Sequence, residues 1–238
     1  MDLKDGIVVH ARRGERVKYA PVHKFSSIVS SSDPLHVISA VRPSEVYIAD
    51  LDRIMYEKSS NRNVISAIRD VVGEIMIDYG VRSVEDALEA AEIANNVVIG
   101  TETASLKLID DVIRRIPGGV NVSVSVDIKN GKILTKDPEI SKFHPLSFIK
   151  LMNEYALNDI IVLDIDRIGT KEGVNIDFLR DAVRISSHNV LCGGGVRGCD
   201  DLKILKSAGV SGVLVATAVH DGSVPPEHLR AEDAASGY

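Results

Sequence analysis

Two aspartates, placed alike in two copies of one motif, carry the clearest chemistry in the chain. Asp2-Leu3-Lys4-Asp5-Gly6 returns as Asp127-Ile128-Lys129-Asn130-Gly131, 125 residues later. Carboxylates facing each other across a pocket can divide acid and base roles when their surroundings push their pKa values apart. The plainer alternative, that each aspartate only caps its own turn, is weakened by the duplication. A second run with chemical content is Gly193-Gly194-Gly195-Val196-Arg197, with Ala216-Thr217 behind it. Glycines there let backbone N–H groups close on an anion, and a following helix N-terminus adds partial positive charge. Gly194, Gly195 and Thr217 are therefore candidate phosphate ligands. The matching run in the first copy is Asp78-Tyr79-Gly80-Val81-Arg82, with Gly100-Thr101 behind it. Asp78 would set negative charge beside a phosphate there and Tyr79 would add bulk, so one good and one poor phosphate site are expected.

The elements that must position these residues repeat as well. Asp50-Leu51-Asp52-Arg53-Ile54 returns as Asp164-Ile165-Asp166-Arg167-Ile168, and Gly80-Val81-Arg82 as Gly195-Val196-Arg197. Ile99-Gly100-Thr101 is echoed by Val215-Ala216-Thr217. Internal repetition at a nearly fixed offset points to two halves of like build. Short apolar runs read as strands: Val46 to Ala49, Ile75 to Ile77, Val97 to Ile99, Val120 to Val126, Ile160 to Leu163, Val190-Leu191 and Val213 to Val215. Most are too apolar for one wet face, as in parallel strands covered on both sides. Between them lie helices with legible starts, Asp33-Pro34 and a capping-box variant at Ser83-Val84-Glu85-Asp86. With a strand at Asp2 the count is eight, and eight βα units in this length read as a (β/α)8 TIM barrel whose site lies at the C-terminal strand ends. A doubly wound open sheet is the runner-up. The expected organisation is a single barrel over residues 1–230, with half-barrels of about 1–118 and 119–230, and a small polar tail at 231–238 read as disordered or non-native. Only Met1 precedes Asp2, so the first strand is short as written, and either the start of the chain is short or the barrel is open at that seam.

Composition bounds the partners. The 238 residues are 45% hydrophobic and 26% charged, enough for a large core. A net charge of −6 argues against general nucleic-acid binding. No run approaches the roughly 20 apolar residues of a membrane span. Cys192 and Cys199 are too few for a disulfide framework and read as reduced thiols of a cytoplasmic protein. The seven histidines show no metal-ligand spacing, so neither a metal nor another cofactor is expected. His10, Arg12, Arg13, Arg16, Lys18, His23 and Lys24 fall in one loop that could close over an anionic substrate, although a solvated charged loop is the simpler reading.

The runs Asp-Leu-Lys-Asp-Gly-Ile-Val-Val, Tyr-Ile-Ala-Asp-Leu-Asp, Gly-Val-Arg-Ser-Val-Glu-Asp-Ala and Val-Ile-Gly-Thr resemble the phosphosugar barrels of histidine biosynthesis. That family holds the phosphoribosylformimino-aminoimidazole carboxamide ribotide isomerase and the cyclase subunit of imidazole glycerol phosphate synthase. The resemblance extends from Asp2 to about Gly222. It implies catalytic aspartates at Asp2 and Asp127, a second-half phosphate loop at Gly194, Gly195 and Thr217, and a first-half loop at Gly80, Gly100 and Thr101. Asp50-Leu51-Asp52 and Ile99-Gly100-Thr101 look like the isomerase, whereas Gly169-Thr170-Lys171-Glu172-Gly173 looks more like the cyclase and adds Thr170 to the implied binding set. Two departures stand out. Ile168 replaces a family aspartate, and Asp78-Tyr79-Gly80 replaces a family triple glycine.

These features favour an isomerase that carries out an aldose–ketose (Amadori-type) rearrangement of a phosphoribosyl compound. Asp2 would act as general base at the sugar carbon and Asp127 as general acid at the ring oxygen or amine. A cyclase or lyase on a singly phosphorylated substrate is an alternative, and a non-catalytic phosphometabolite-binding paralogue is another. The only partner expected is a small phosphorylated molecule; a glutaminase partner is open but not favoured.

Overall fold

The structure, a computed structural model, describes residues 1–56 and 61–229. The polar tail read from the sequence at 231–238 lies outside the described residues. In chain order the elements are β1 (Asp2–Lys4), β2 (Ile7–His10), β3 (Ala20–Pro21), α1 (Pro34–Val41), β4 (Glu45–Asp50), α2 (Leu51–Tyr56), α3 (Arg62–Arg69), β5 (Glu74–Asp78), α4 (Val84–Ala91) and β6 (Asn96–Gly100). They continue as α5 (Leu106–Arg115), β7 (Asn121–Lys129), β8 (Lys132–Ile133), α6 (Pro145–Met152), β9 (Asp159–Asp164), α7 (Ile176–Ile185), β10 (Asn189–Gly193), α8 (Cys199–Ser207), β11 (Gly212–Leu214) and α9 (Thr217–His220).

Eight of the strands run parallel in the order β1-β4-β5-β6-β7-β9-β10-β11, curling into the expected TIM-barrel wall. β2, β3 and β8 are antiparallel additions at the rim. β6 is buried at every position and β7 at seven consecutive ones, because helices cover the outside while side chains fill the inside. As expected, the first strand is short. β1 pairs with β4 at only two positions, and among the described residues no ladder joins β1 to β11.

The helices begin where the sequence says they should. Asp33 accepts from the His36 N–H at 2.8 Å ahead of Pro34. Ser83 and Asp86 close a reciprocal capping box, at 3.1 and 3.0 Å. Each such cap is worth about 1 kcal/mol.

The half-barrel repeat persists down to single hydrogen bonds. The turn joining β1 to β2 has Asp5 and Gly6 at φ 51° and 80°, and the turn joining β7 to β8 has Asn130 and Gly131 at 52° and 71°. Both centres lie at positive φ, as a tight two-residue hairpin requires. Asp52 accepts from the Asp5 N–H at 2.7 Å, and Asp166 from the Asn130 N–H at 2.6 Å. Likewise Asp86 accepts from the Arg82 N–H at 2.9 Å and Asp201 from the Arg197 N–H at 2.8 Å.

Candidate active site

β1 and β7 stand four strands apart in a ring of eight, so Asp2 and Asp127 reach the mouth from opposite sides. Both line one cavity of about 1030 Å³, together with Arg16, Asp78, Glu102, Gly194, Gly195 and Thr217. The cavity runs down the barrel axis as far as Asn96 and Asp159 near the strand starts, beside the unladdered seam.

The environment separates the carboxyls. Asp127 is 4% exposed; the Ser125 hydroxyl donates to its Oδ1 at 2.6 Å, and its own N–H donates to Thr101 Oγ1 at 3.1 Å. Burial pushes its pKa up to about 8 against the Ser125 hydrogen bond, with Asp78 and Glu102 adding to the rise. Burial also raises Asp2, opposed by the N-terminal ammonium and Arg16. Asp78, at the end of β5, is pushed by burial to about 6, opposed by the hydrogen bond it accepts from Gly80.

Of the phosphate candidates, the cavity gathers the second-half set and leaves out the first. Gly194 and Gly195 line it, and no described residue accepts a hydrogen bond from either N–H. Gly195 must be glycine: at φ 88° a Cβ would stand 2.2 Å from the Gly173 carbonyl oxygen. Thr217 opens α9 with its hydroxyl 3.3 Å from His10 Nε2, and His10 is stacked on Phe25 at 3.9 Å. Burial, then the nearby Arg12, lowers the His10 pKa, so the ring is neutral beside Thr217 at pH 7.

Gly80, Gly100, Thr101 and Thr170 do not line the cavity. The Gly80 N–H donates to Asp78 Oδ1 at 3.0 Å. Thr101 is fully buried, its N–H on the Ser125 carbonyl and its hydroxyl holding the Asp127 N–H. Thr170 closes its own loop, donating to the Arg167 carbonyl at 2.8 Å. Tyr79 does not crowd the cavity as expected from sequence. It is fully buried on the outer side of the strand, with Arg53 4.3 Å over its ring and its hydroxyl donating to Glu89. Ile168 holds the loop after β2 through its backbone. Its carbonyl accepts from the Arg13 N–H at 2.9 Å, and its Cγ1 would stand 3.5 Å from a Cβ at Gly194.

The basic loop between β2 and β3 reaches the cavity through Arg16, while Arg12, Arg13 and Lys18 are exposed, as a solvated charged loop would have them. Arg16 grips Glu102 with both guanidinium nitrogens, at 2.6 and 2.5 Å, and both side chains are largely shielded from water. Arg13 pairs with Glu172, and Gly169 lies so close that a Cβ would meet the Ala11 carbonyl oxygen at 2.2 Å. Glu102 was missed in the sequence; its signal was an acid directly after Gly100-Thr101, at a strand end.

Among the described residues, no helix is long and apolar enough to cross a membrane. The model of a family described as "Histidine biosynthesis protein" matches residues 1–225. An uncharacterized protein of Methanocaldococcus jannaschii is 34% identical over 235 residues, covering 96% of this chain and 95% of its own. Two further relatives are named as the isomerase of 1-(5-phosphoribosyl)-5-((5-phosphoribosylamino)methylideneamino)imidazole-4-carboxamide. The one from Methanosarcina acetivorans is 30% identical, covering 90% of this chain and 91% of its own. The one from Lachnoclostridium phytofermentans is 26% identical, covering 96% and 95%.

Proposed function

Because the chain belongs to the histidine biosynthesis protein family, we propose that it is a phosphosugar isomerase catalysing an aldose–ketose (Amadori-type) rearrangement of a phosphoribosyl compound. The observation that carries this reading is that Asp2 and Asp127 line one cavity with Gly194, Gly195 and Thr217. The relatives named as isomerases act, by their names, on a compound with two phosphoribosyl groups.

In the proposed reaction the sugar phosphate sits on the N–H groups of Gly194, Gly195 and Thr217. Asp127, protonated at neutral pH, donates to the ring oxygen; the C1–O bond breaks and the amine lone pair forms a C1=N iminium. The Asp2 carboxylate then removes the C2 proton, giving an enolamine that tautomerises to the aminoketose. The proton that Asp127 gives up is balanced by the one Asp2 gains, so no oxidant, reductant or cofactor is needed. Arg16 and the folded loop keep water from the iminium, whose hydrolysis would be the competing loss.

The experiment is proton exchange at sugar C2 in D2O, followed by NMR together with ketose formation, on phosphoribosylamines with one and with two phosphates. Turnover that Asp2→Asn and Asp127→Asn each abolish supports the reading.

A further inference from the structure

The two ends of the cavity differ in the donors and charges they present. At the β10 end, no described residue accepts from the N–H groups of Gly194, Gly195 or Thr217, so an anion would meet unspent donors. The β5 end lies four strands away, on the far side of the ring. There the donors of Gly80, Thr101 and Arg82 are engaged within the protein. The Gly80 N–H is on Asp78, the Thr101 N–H on the Ser125 carbonyl, and the Arg82 guanidinium on the carbonyls of Arg53, Gly80 and Ile54. The nearby cation, Arg16, is held by both oxygens of Glu102.

What this end offers is the Asp78 carboxylate, an acceptor, beside Asp127. Asp78 and Asp127 are 8% and 4% exposed, and both line the cavity. Their Oδ2 atoms come together over Gly100, where a Cβ would stand 3.3 Å from one and 3.8 Å from the other. Neither Oδ2 accepts a hydrogen bond from a described residue. An ionised carboxylate oxygen facing the cavity has room for a further donor. A phosphate dianion brought beside it would face like charge in a water-poor pocket.

Resting on the isomerase reading of this site, we propose that the substrate carries a single phosphate, held at the Gly194–Gly195–Thr217 end. Its other end is not anionic and presents an amino or hydroxyl donor to Asp78. The chain thereby parts from relatives whose named substrate has two phosphoribosyl groups, and Asp78 is the residue that sets the difference.

The test uses inert analogues of the rearranged product, 1-anilino-1-deoxyribitol 5-phosphates whose para substituent is hydrogen, aminomethyl or phosphate. They are titrated calorimetrically into the full chain at pH 8. The aminomethyl compound is expected to bind about tenfold tighter than the unsubstituted one, and the second phosphate to weaken binding about tenfold. Asp78→Asn keeps an acceptor for the Gly80 N–H and removes the charge, so it should bring all three compounds within about threefold of one another. A bisphosphate that binds best to wild type, or an unchanged ranking in Asp78→Asn with native circular dichroism, overturns the proposal. Gly195→Ala separates the two levels. If none of the compounds binds, or Gly195→Ala binds them as wild type does, the phosphate reading itself fails. If Gly195→Ala, with native circular dichroism and thermal unfolding, loses all three and the bisphosphate still ranks first in wild type, that reading stands and only the single-phosphate inference falls.

Discussion

The Oδ2 atoms of Asp78 and Asp127 converge over Gly100, 3.3 and 3.8 Å from the point a Cβ would occupy. Two buried carboxyls sharing one space resist double ionisation. Both pKa values are raised, Asp78 to about 6 and Asp127 to about 8, with burial the main cause in each and Asp78 adding to the rise of Asp127. At neutral pH Asp127 therefore keeps its proton while Asp78 is mostly an anion. Asp78 thus adds to the effect of burial on its neighbour, which underlies the division of labour proposed for the site.

That arrangement has a thermodynamic sign. Asp127 titrates near 3.8 when unperturbed and near 8 in the folded protein. Between those values the unfolded chain has released the proton and the folded one retains it, so this group makes stability fall as pH rises, levelling off above pH 8. Asp127→Asn removes that dependence. The variant should match wild type near pH 4 in this contribution and exceed it by about 2 kcal/mol at pH 8, once relaxation around the buried group is allowed for. Denaturant unfolding at several pH values checks it, and a wild-type-to-variant difference that does not vary with pH would refute the assignment.

The two half-barrels give a matched pair of mutations. Asn61 is fully buried; its Nδ2 donates to Asp50 at 2.7 Å and Asp52 at 2.8 Å, and its Oδ1 accepts from the Gly6 N–H at 2.9 Å. Asn175 stands at the repeat-related place but is exposed, and its side chain only caps α7 through the Phe178 N–H at 3.3 Å. Beside it a hollow of about 310 Å³, lined by Asp164, Asp166 and Cys192, remains where the first half is knitted shut. Asn61→Ala removes three hydrogen bonds made by a fully buried side chain and should cost about 3 kcal/mol in urea unfolding, against about 1 kcal/mol for Asn175→Ala. Equal costs would contradict the account of the repeat.

The loop is held at the cavity by a pair that can be cut. Losing the two-pronged Arg16–Glu102 contact should remove about 1 kcal/mol of docking energy, raising the open population about fivefold. Arg16→Ala and Glu102→Gln should each speed tryptic cleavage at Arg12, Arg13 or Lys18 by about that factor, with global stability little changed. Cleavage at the wild-type rate in both variants would mean that the loop is held by other contacts.

Much of this was legible in the residues. The strand ends at Asp127 and Gly193 to Gly195 announced themselves because an apolar β-branched run gives way there to Asp or Gly, and the repeat placed Asp2 by symmetry with Asp127. What escaped was whatever depends on facing or on distant partners. Tyr79 stands one residue past β5, where strand alternation no longer says which way a side chain points, and it turned outward under Arg53. Thr101 looked like a phosphate ligand by its spacing, yet its hydroxyl is taken by the Asp127 N–H on the neighbouring strand. Arg16 and Glu102 meet across 86 residues, with no local pattern to link them.

The central claim is that Asp2 and Asp127 together rearrange a phosphoribosylamine. The most direct measurement is the rate of C2 proton exchange and aminoketose formation from N-(5-phosphoribosyl)aniline in D2O, for wild type, Asp2→Asn and Asp127→Asn. The account predicts turnover by wild type, with each variant slower by about a hundredfold or more while it still binds the inert ribitol analogue. Full-rate exchange in either variant, or none by folded wild type on this compound and on the bis-phosphoribosyl one, would contradict it.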